Sequence, residues 1–130
     1  MKQTILFLFA SMTLAFAGCS KDDDDDNNPS GPRERDVEYR ITTPTAGATA
    51  DIIYSNEMGG TTILDDVSLP VTYKFRRRLA TNDAVNILAS LNNATATSEI
   101  TGTILLDNQR VQTETGSGSI ARINLVYIVP

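Results

Sequence analysis

The sequence contains no histidine, no tryptophan and a single cysteine among 130 residues. Without histidine, the chain cannot form the Ser-His-Asp or Cys-His arrangements that activate nucleophiles in many hydrolases. Zinc loses its two preferred types of ligand. A lone cysteine cannot form a disulfide within the chain. These absences predict a protein that is not an enzyme and that binds no metal.

The charges are unevenly distributed. The formal net charge is −5, and five consecutive aspartates occupy residues 22–26. Residues 33–130 hold nine basic and eleven acidic side chains, so their own net charge is −2. Nucleic-acid binding requires a basic surface. The composition therefore predicts no nucleic-acid partner.

The N-terminus has the pattern of a secretory signal peptide. Lys2 precedes an apolar segment, residues 4–16, which is interrupted only by Ser11 and Thr13. A transmembrane anchor is the alternative, but spanning a bilayer takes roughly 20 apolar residues. A charged start, a short apolar run and small residues before a cleavage point favour a signal peptide over residues 1–18.

Residues 16–19 resemble a bacterial lipobox, although Phe16 occupies the position where leucine is commonest. The resemblance implies cleavage just before Cys19, which then carries a diacylglyceryl thioether and an N-acyl chain such as palmitate. This covalent lipid is the only cofactor that we predict. Each buried CH₂ of an acyl chain contributes about 0.8 kcal/mol to membrane binding. The membrane is therefore a predicted partner.

Residues 19–32 are predicted to be a disordered acidic tether, because adjacent carboxylates repel one another and bury no apolar area. The segment is either a solvated spacer or an export signal. Its start resembles the surface-export signal of some Gram-negative lipoproteins, and we favour that role for Ser20, Lys21, Asp22, Asp23, Asp24, Asp25 and Asp26. An unbroken Asp run lacks the spacing and glycine of a calcium loop.

Residues 33–130 alternate apolar and polar side chains nearly throughout, which is typical of β-strands. Turn residues separate the runs, among them Asp107 and Asn108, which predict a tight hairpin. The longest predicted strand, residues 67–76, contains Pro70, which we expect at an edge or a bulge. The pattern predicts an all-β domain: an immunoglobulin-like β-sandwich of seven to eight strands, with a small β-barrel as the alternative.

The last predicted strand has a second feature. One face is apolar throughout, and the opposite face becomes apolar at Val126 and Ile128. This strand is therefore expected either to be buried on both sides or to meet a neighbour on its outer side.

The order of several segments resembles the MmpS family of transport accessory proteins. They are residues 37–39, 50–54, 67–70 and 104–107, followed by Val111 and a Gly/Ser segment at 116–119. The resemblance implies an extracytoplasmic β-sandwich, and a role beside large RND-type lipid exporters. The chain departs from the family in its lipid anchor, its missing cysteine pair and Asn108 in place of glycine. No functional residue carries over.

The most unusual charged segment lies at residues 74–78. Alternation places Lys74, Arg76 and Arg78 on one face of a strand, where they form a possible anion-binding patch. The alternatives are an edge strand protected against pairing by its charges and partners for acidic groups. A cation site formed by Glu57, Asp65 and Asp66 is a weaker possibility, because the spacing of a calcium loop is missing.

Taken together, the sequence predicts a non-catalytic lipoprotein of the outer membrane, displayed at the cell surface. It is expected to act by binding or as a subunit of an envelope assembly. The alternative is an MmpS-like accessory factor for RND-type export of lipids or small molecules, with a transporter as partner. The ligand is not identified by the sequence.

Overall fold

The computed structural model describes residues 31–130, which form eight β-strands and no helix. The strands are β1 (Arg33–Thr42), β2 (Thr49–Ser55), β3 (Thr61–Ser68), β4 (Val71–Leu79), β5 (Ala84–Leu91), β6 (Glu99–Leu106), β7 (Gln109–Ser117) and β8 (Arg122–Ile128).

The strands form two four-stranded antiparallel sheets, with the order β4-β1-β6-β7 in sheet A and β3-β2-β5-β8 in sheet B. The two sheets pack face to face, and each keeps two edge strands. The predicted β-sandwich is therefore confirmed, whereas a closed barrel is not formed.

The core lies between the sheets and is mainly aliphatic. Alternate residues of each central strand point inward, as the period of two requires. Burying an Ile, Val or Leu side chain contributes about 1.5–3 kcal/mol. Tyr39 on β1 is the largest fully buried side chain. The other fully buried core side chains include Val37, Ile41, Ile52, Val85, Ile87, Ile100, Ile104, Leu106, Ile123 and Leu125.

The hairpin predicted between β6 and β7 is present. Asp107 and Asn108 have φ angles of 50° and 64°. A two-residue hairpin turn with positive φ at both positions has the twist that the flanking strands need. Asp and Asn tolerate this conformation better than most residues, which is why the pair predicts the turn correctly.

The single strand predicted over residues 67–76 is wrong. The structure divides this segment into the end of β3 and the start of β4, and the chain crosses from sheet B to sheet A at Leu69 and Pro70. Proline lacks the N–H that a ladder needs. Most of β3 was missed because its register with β2 shifts near Asp66, which has a φ of 53°. This bulge interrupts the period of two.

Candidate binding surfaces

The basic residues of β4 share one exposed face, as the alternation predicts. Lys74, Arg76 and Arg78 all point away from the core, and β4 is an edge strand of sheet A. Each of the three lies opposite an acidic residue of β1: Lys74 opposite Glu38, Arg76 opposite Asp36, and Arg78 opposite Glu34. Directly opposed charges stabilise antiparallel strands.

Contacts within sheet A engage two of these cations. Arg76 Nε lies 3.2 Å from Asp36 Oδ1, and Lys74 Nζ donates a hydrogen bond of 3.4 Å to Asn108 Oδ1. Glu38 pairs with Arg40 instead of Lys74. Because acidic side chains line the adjacent strand, the field of the cluster is largely compensated. The geometry favours partners for acidic groups on a protected edge over an anion-binding patch.

The acidic residues do not assemble as the cation-site hypothesis requires. Glu57 lies in the turn before β3, whereas Asp65 and Asp66 lie near its other end. Within residues 31–130, no group of three or more potential ligands is close enough to hold a metal ion.

A hydrogen-bonded acidic corner forms instead where β2 meets β3. The Asp66 N–H donates to Asp51 Oδ1 at 3.0 Å. Asn92 Nδ2 donates to Asp51 Oδ1 at 3.1 Å and to Asp66 Oδ1 at 2.8 Å. The Asp66 backbone bond, followed by the Asn92 bond, lowers the pKa of Asp51. These bonds favour the charged form of Asp51 on the rim of sheet B.

An aromatic cluster that was not predicted from the sequence lies on one flank of the sandwich. Tyr54 of sheet B stacks on Tyr73 of sheet A, with ring centroids 4.7 Å apart. Tyr39 makes edge-on contacts with Tyr54 and Phe75 at 5.6 and 5.7 Å. The alternation of Tyr73 and Phe75 was a signal for a shared face. The pairing with Tyr54 was not, because it joins different sheets. Because these rings pack against one another across the two sheets, the cluster joins the sheets.

The outer face of sheet B carries aliphatic side chains in contact with solvent. We define the apolar face as Ile53, Ile63, Leu88, Val126 and Ile128. The exposed fractions are 38% for Ile53, 65% for Ile63, 48% for Val126 and 60% for Ile128. Ile63, Ile53 and Leu88 lie side by side on β3, β2 and β5.

On β8 the same face carries Val126 and Ile128, which follow Asn124 along the strand; Val126 lies opposite Asn86 on β5. Burial of the last strand on both sides is therefore not observed. Scattered single hydrophobic residues on a surface need no explanation, but contiguous ones mark interaction sites. The remaining expectation, that this side of β8 meets a neighbour, stays a prediction.

The start and the end of the described chain lie at the same end of the sandwich. β1 begins at Arg33, opposite Leu79 at the end of β4. The Val129 carbonyl accepts a 2.8 Å hydrogen bond from the Asn82 N–H in the adjoining turn. A cavity of about 120 Å³, lined by Arg33, Arg35, Leu79, Thr81, Val129, Pro130 and Gly31, opens here. It is smaller than the roughly 300–1,000 Å³ of typical small-molecule sites.

The predicted lipidation residue Cys19, the acidic residues 22–26 and the signal peptide lie outside the described residues. In the part of the chain that the structure covers, no helix has the length and hydropathy to cross a membrane.

Comparison with known proteins adds no identity to these surfaces: neither a protein-family model nor a curated protein matches the chain.

Proposed function

We propose that the protein is a non-catalytic lipoprotein, anchored through lipid on Cys19 in the outer membrane and displayed at the cell surface. Its β-sandwich acts by binding another macromolecule or as a subunit of an envelope assembly. The observation that carries the binding role is the apolar face of sheet B. Such a face is costly to expose and is typical of protein interaction sites.

The position at which the chain enters the sandwich supports tethering. The segment between Cys19 and Arg33 leads to the end of the sandwich where β1 begins. At about 3.4 Å per extended residue, this segment reaches up to roughly 45 Å. The domain would stand clear of the membrane with that end toward the lipid, and the apolar face, which runs along the side, would stay accessible.

Anchoring is tested by changing Cys19→Ala and growing cells with a clickable fatty acid. We expect the unaltered protein to be labelled and the variant to be unlabelled, unprocessed and released from washed membranes. Ser20→Ala is the matched control and should keep its label. Fatty-acid label retained on the Cys19→Ala protein would refute the lipoprotein assignment.

Surface display is tested by replacing the five aspartates of residues 22–26 with alanine. We expect acylation to continue while the domain faces the periplasm, so that protease added to whole cells no longer removes it. Replacement with five glutamates keeps the charge and should preserve removal. If protease removes the alanine variant as fast as the unaltered protein, the run is a spacer.

The second candidate function is that of an MmpS-like accessory factor for RND-type export. It is supported by the order of sequence segments and by the β-sandwich that the resemblance implies. An RND transporter that copurifies with the protein from cross-linked envelopes, and whose substrate export falls when the protein is deleted, would favour this role. Copurification with an adhesin or a polysaccharide-uptake complex would favour the first.

A further inference from the structure

We propose that the apolar face of sheet B is the contact surface of a symmetric dimer, in which a second copy of the chain packs on it with the two-fold axis parallel to the strands. This proposal deepens the binding role above, and its choice of axis rests on the lipid anchor. Sheets that pack face to face keep their strands within about 30° of one another, so an additional sheet-on-sheet layer is geometrically ordinary.

The apolar residues are arranged so that the face complements itself. One row crosses all four strands in the order Ile63, Ile53, Leu88 and Asn124. A two-fold axis along the strands reverses the strand order in the partner. Ile53 of one copy then faces Leu88 of the other, and Ile63 faces Asn124 on β8, next to the exposed Val126. An isologous interface requires this self-complementarity.

The charges next to the apolar row select the same arrangement. Arg122 on β8 lies opposite Ser90, which lies opposite Asp51; Asp65 is exposed on the adjacent β3. Within residues 31–130, Arg122 takes part in none of the ion pairs. Reversal of the strand order brings Arg122 of each copy to the acidic corner of the other. An axis perpendicular to the strands would instead bring Arg122 to the Ile128 end of the face.

The anchor independently favours the parallel axis. Rotation about an axis along the strands keeps the Arg33 end of both copies at the same end of the dimer. Both lipids then reach one membrane. The perpendicular axis would direct the two tethers in opposite directions, so that one of them would have to run back along the domain to reach the same leaflet.

The size of the face predicts a dimer that depends on the membrane. Four strands spaced about 4.8 Å apart and seven residues long give a flat footprint of about 450 Å². Standard interfaces bury roughly 800 Å² per partner. The affinity in free solution is therefore expected to be low. Confinement to a membrane raises the effective concentration of the second copy.

The test uses the full-length chain in Gram-negative cells with the substitutions Ile63→Cys and Asn124→Cys together. Within one chain these positions lie on the two edge strands of sheet B, three strand spacings or about 14 Å apart. A disulfide spans at most about 7 Å between Cα atoms, so the pair can bond only between copies. We expect a disulfide-linked dimer after mild oxidation of membranes, and at least a fivefold loss of it with Arg122→Glu added. Asp65→Arg should restore much of the loss.

The matched control lies on sheet A. Thr72 and Thr113 occupy its two edge strands in one row, through Arg40 and Thr103. Thr72→Cys with Thr113→Cys should give little dimer. Equal yields from the two pairs would indicate random collision and overturn the proposal. A product with a different protein in place of the homodimer would also overturn it.

Two further measurements separate the possible failures. Fatty-acid labelling of the same samples reports anchoring. Labelled protein that forms no dimer would refute the dimer but not the anchor. A dimer of unlabelled protein would refute the anchor but not the dimer. Energy transfer between dyes on C-terminal tags needs no cysteine substitution in the face. It should fall to the background level with Val126→Lys, and a signal that this substitution leaves unchanged would contradict the dimer.

Discussion

The outer faces of the two sheets differ in the chemistry of the side chains that they present to solvent. On sheet A, neighbouring side chains satisfy one another: the Thr101 and Thr115 hydroxyls lie 2.8 Å apart, those of Thr103 and Thr113 lie 3.2 Å apart, and Arg76 pairs with Asp36. On sheet B, the outer face carries the apolar face defined above, with Asn86 and Asn124 beside Val126 and Leu88. Sheet A therefore has a polar outer face, whereas sheet B exposes aliphatic side chains, and the proposed dimer rests on this difference.

The largest expected effect concerns the seam where the edges of the two sheets meet. A Cβ atom on Gly116 of β7 would lie 1.9 Å from the Arg122 carbonyl oxygen of β8. Because backbone cannot move aside as a side chain can, Gly116→Ala should lower the free energy of unfolding by about 3 kcal/mol. Urea unfolding followed by circular dichroism measures this.

Gly60→Ala is the control for that substitution, because its Cβ would make only an ordinary contact of 3.5 Å with Asn56 Oδ1. It should leave the unfolding midpoint nearly unchanged. Equal stability of the two variants would mean that β7 and β8 are not in close contact, and that the two sheets do not meet at this edge.

The next effect concerns the polar link between the sheets. The Tyr39 hydroxyl of β1 donates to the Ser55 carbonyl of β2 at 3.1 Å and lies 2.8 Å from Ser55 Oγ. Tyr39→Phe should cost about 1–2 kcal/mol, since it leaves buried polar atoms without this partner. Tyr127→Phe, on β8, is the control and should cost less.

Tyr39 also predicts the behaviour of the fold in alkali. Burial, partly offset by the Ser55 hydrogen bond, raises the pKa of Tyr39. In the unfolded chain its pKa is about 10. The contribution of Tyr39 to stability is therefore fully present below about pH 10 and is lost as the pH rises through its folded-state pKa. Urea titrations at pH 8 and pH 10.5 measure the free energy of unfolding. Between these two pH values it should fall less for Tyr39→Phe than for the unaltered protein. An equal loss would assign the effect to other groups, such as Tyr73.

A smaller effect compares the two outer faces directly. Val126→Lys on sheet B and Thr113→Lys on sheet A should each change the free energy of unfolding by less than about 0.5 kcal/mol, as exposed substitutions usually do. Retention of the Cys19→Ala protein on a hydrophobic-interaction column should fall with Val126→Lys only. The same fall for both variants would remove the distinction between the faces.

The smallest effect is expected at the basic residues of β4. Exposed ion pairs contribute at most about 1 kcal/mol, and the acidic residues of β1 already compensate these cations. Changing Lys74, Arg76 and Arg78 to Ser should therefore alter binding to anionic lipid vesicles by less than twofold at moderate salt. Saturable, salt-sensitive binding that the substitutions abolish would restore the anion-binding patch and give sheet A a ligand of its own.

The sequence predicted most strands because each has one buried and one solvated face, a condition that imposes a period of two. It also predicted the turn at Asp107 and Asn108, where residue type alone favours positive φ. It failed at β3, whose outer residues are mixed and whose bulge at Asp66 breaks the period. The apolar face was partly visible at Val126 and Ile128. Its continuation through Ile63, Ile53 and Leu88 was not, since those residues are separated along the chain.

By itself, the sequence determined the all-β class, the lack of histidine and disulfide chemistry, and the placing of Lys74, Arg76 and Arg78 on one exposed side. These depend on composition and on neighbours along a strand. Only the tertiary structure decided what lies across from those side chains, because strand pairing brings together residues that are far apart in sequence. Pairing set acids opposite the cations in sheet A, and it joined scattered aliphatic residues into one face on sheet B.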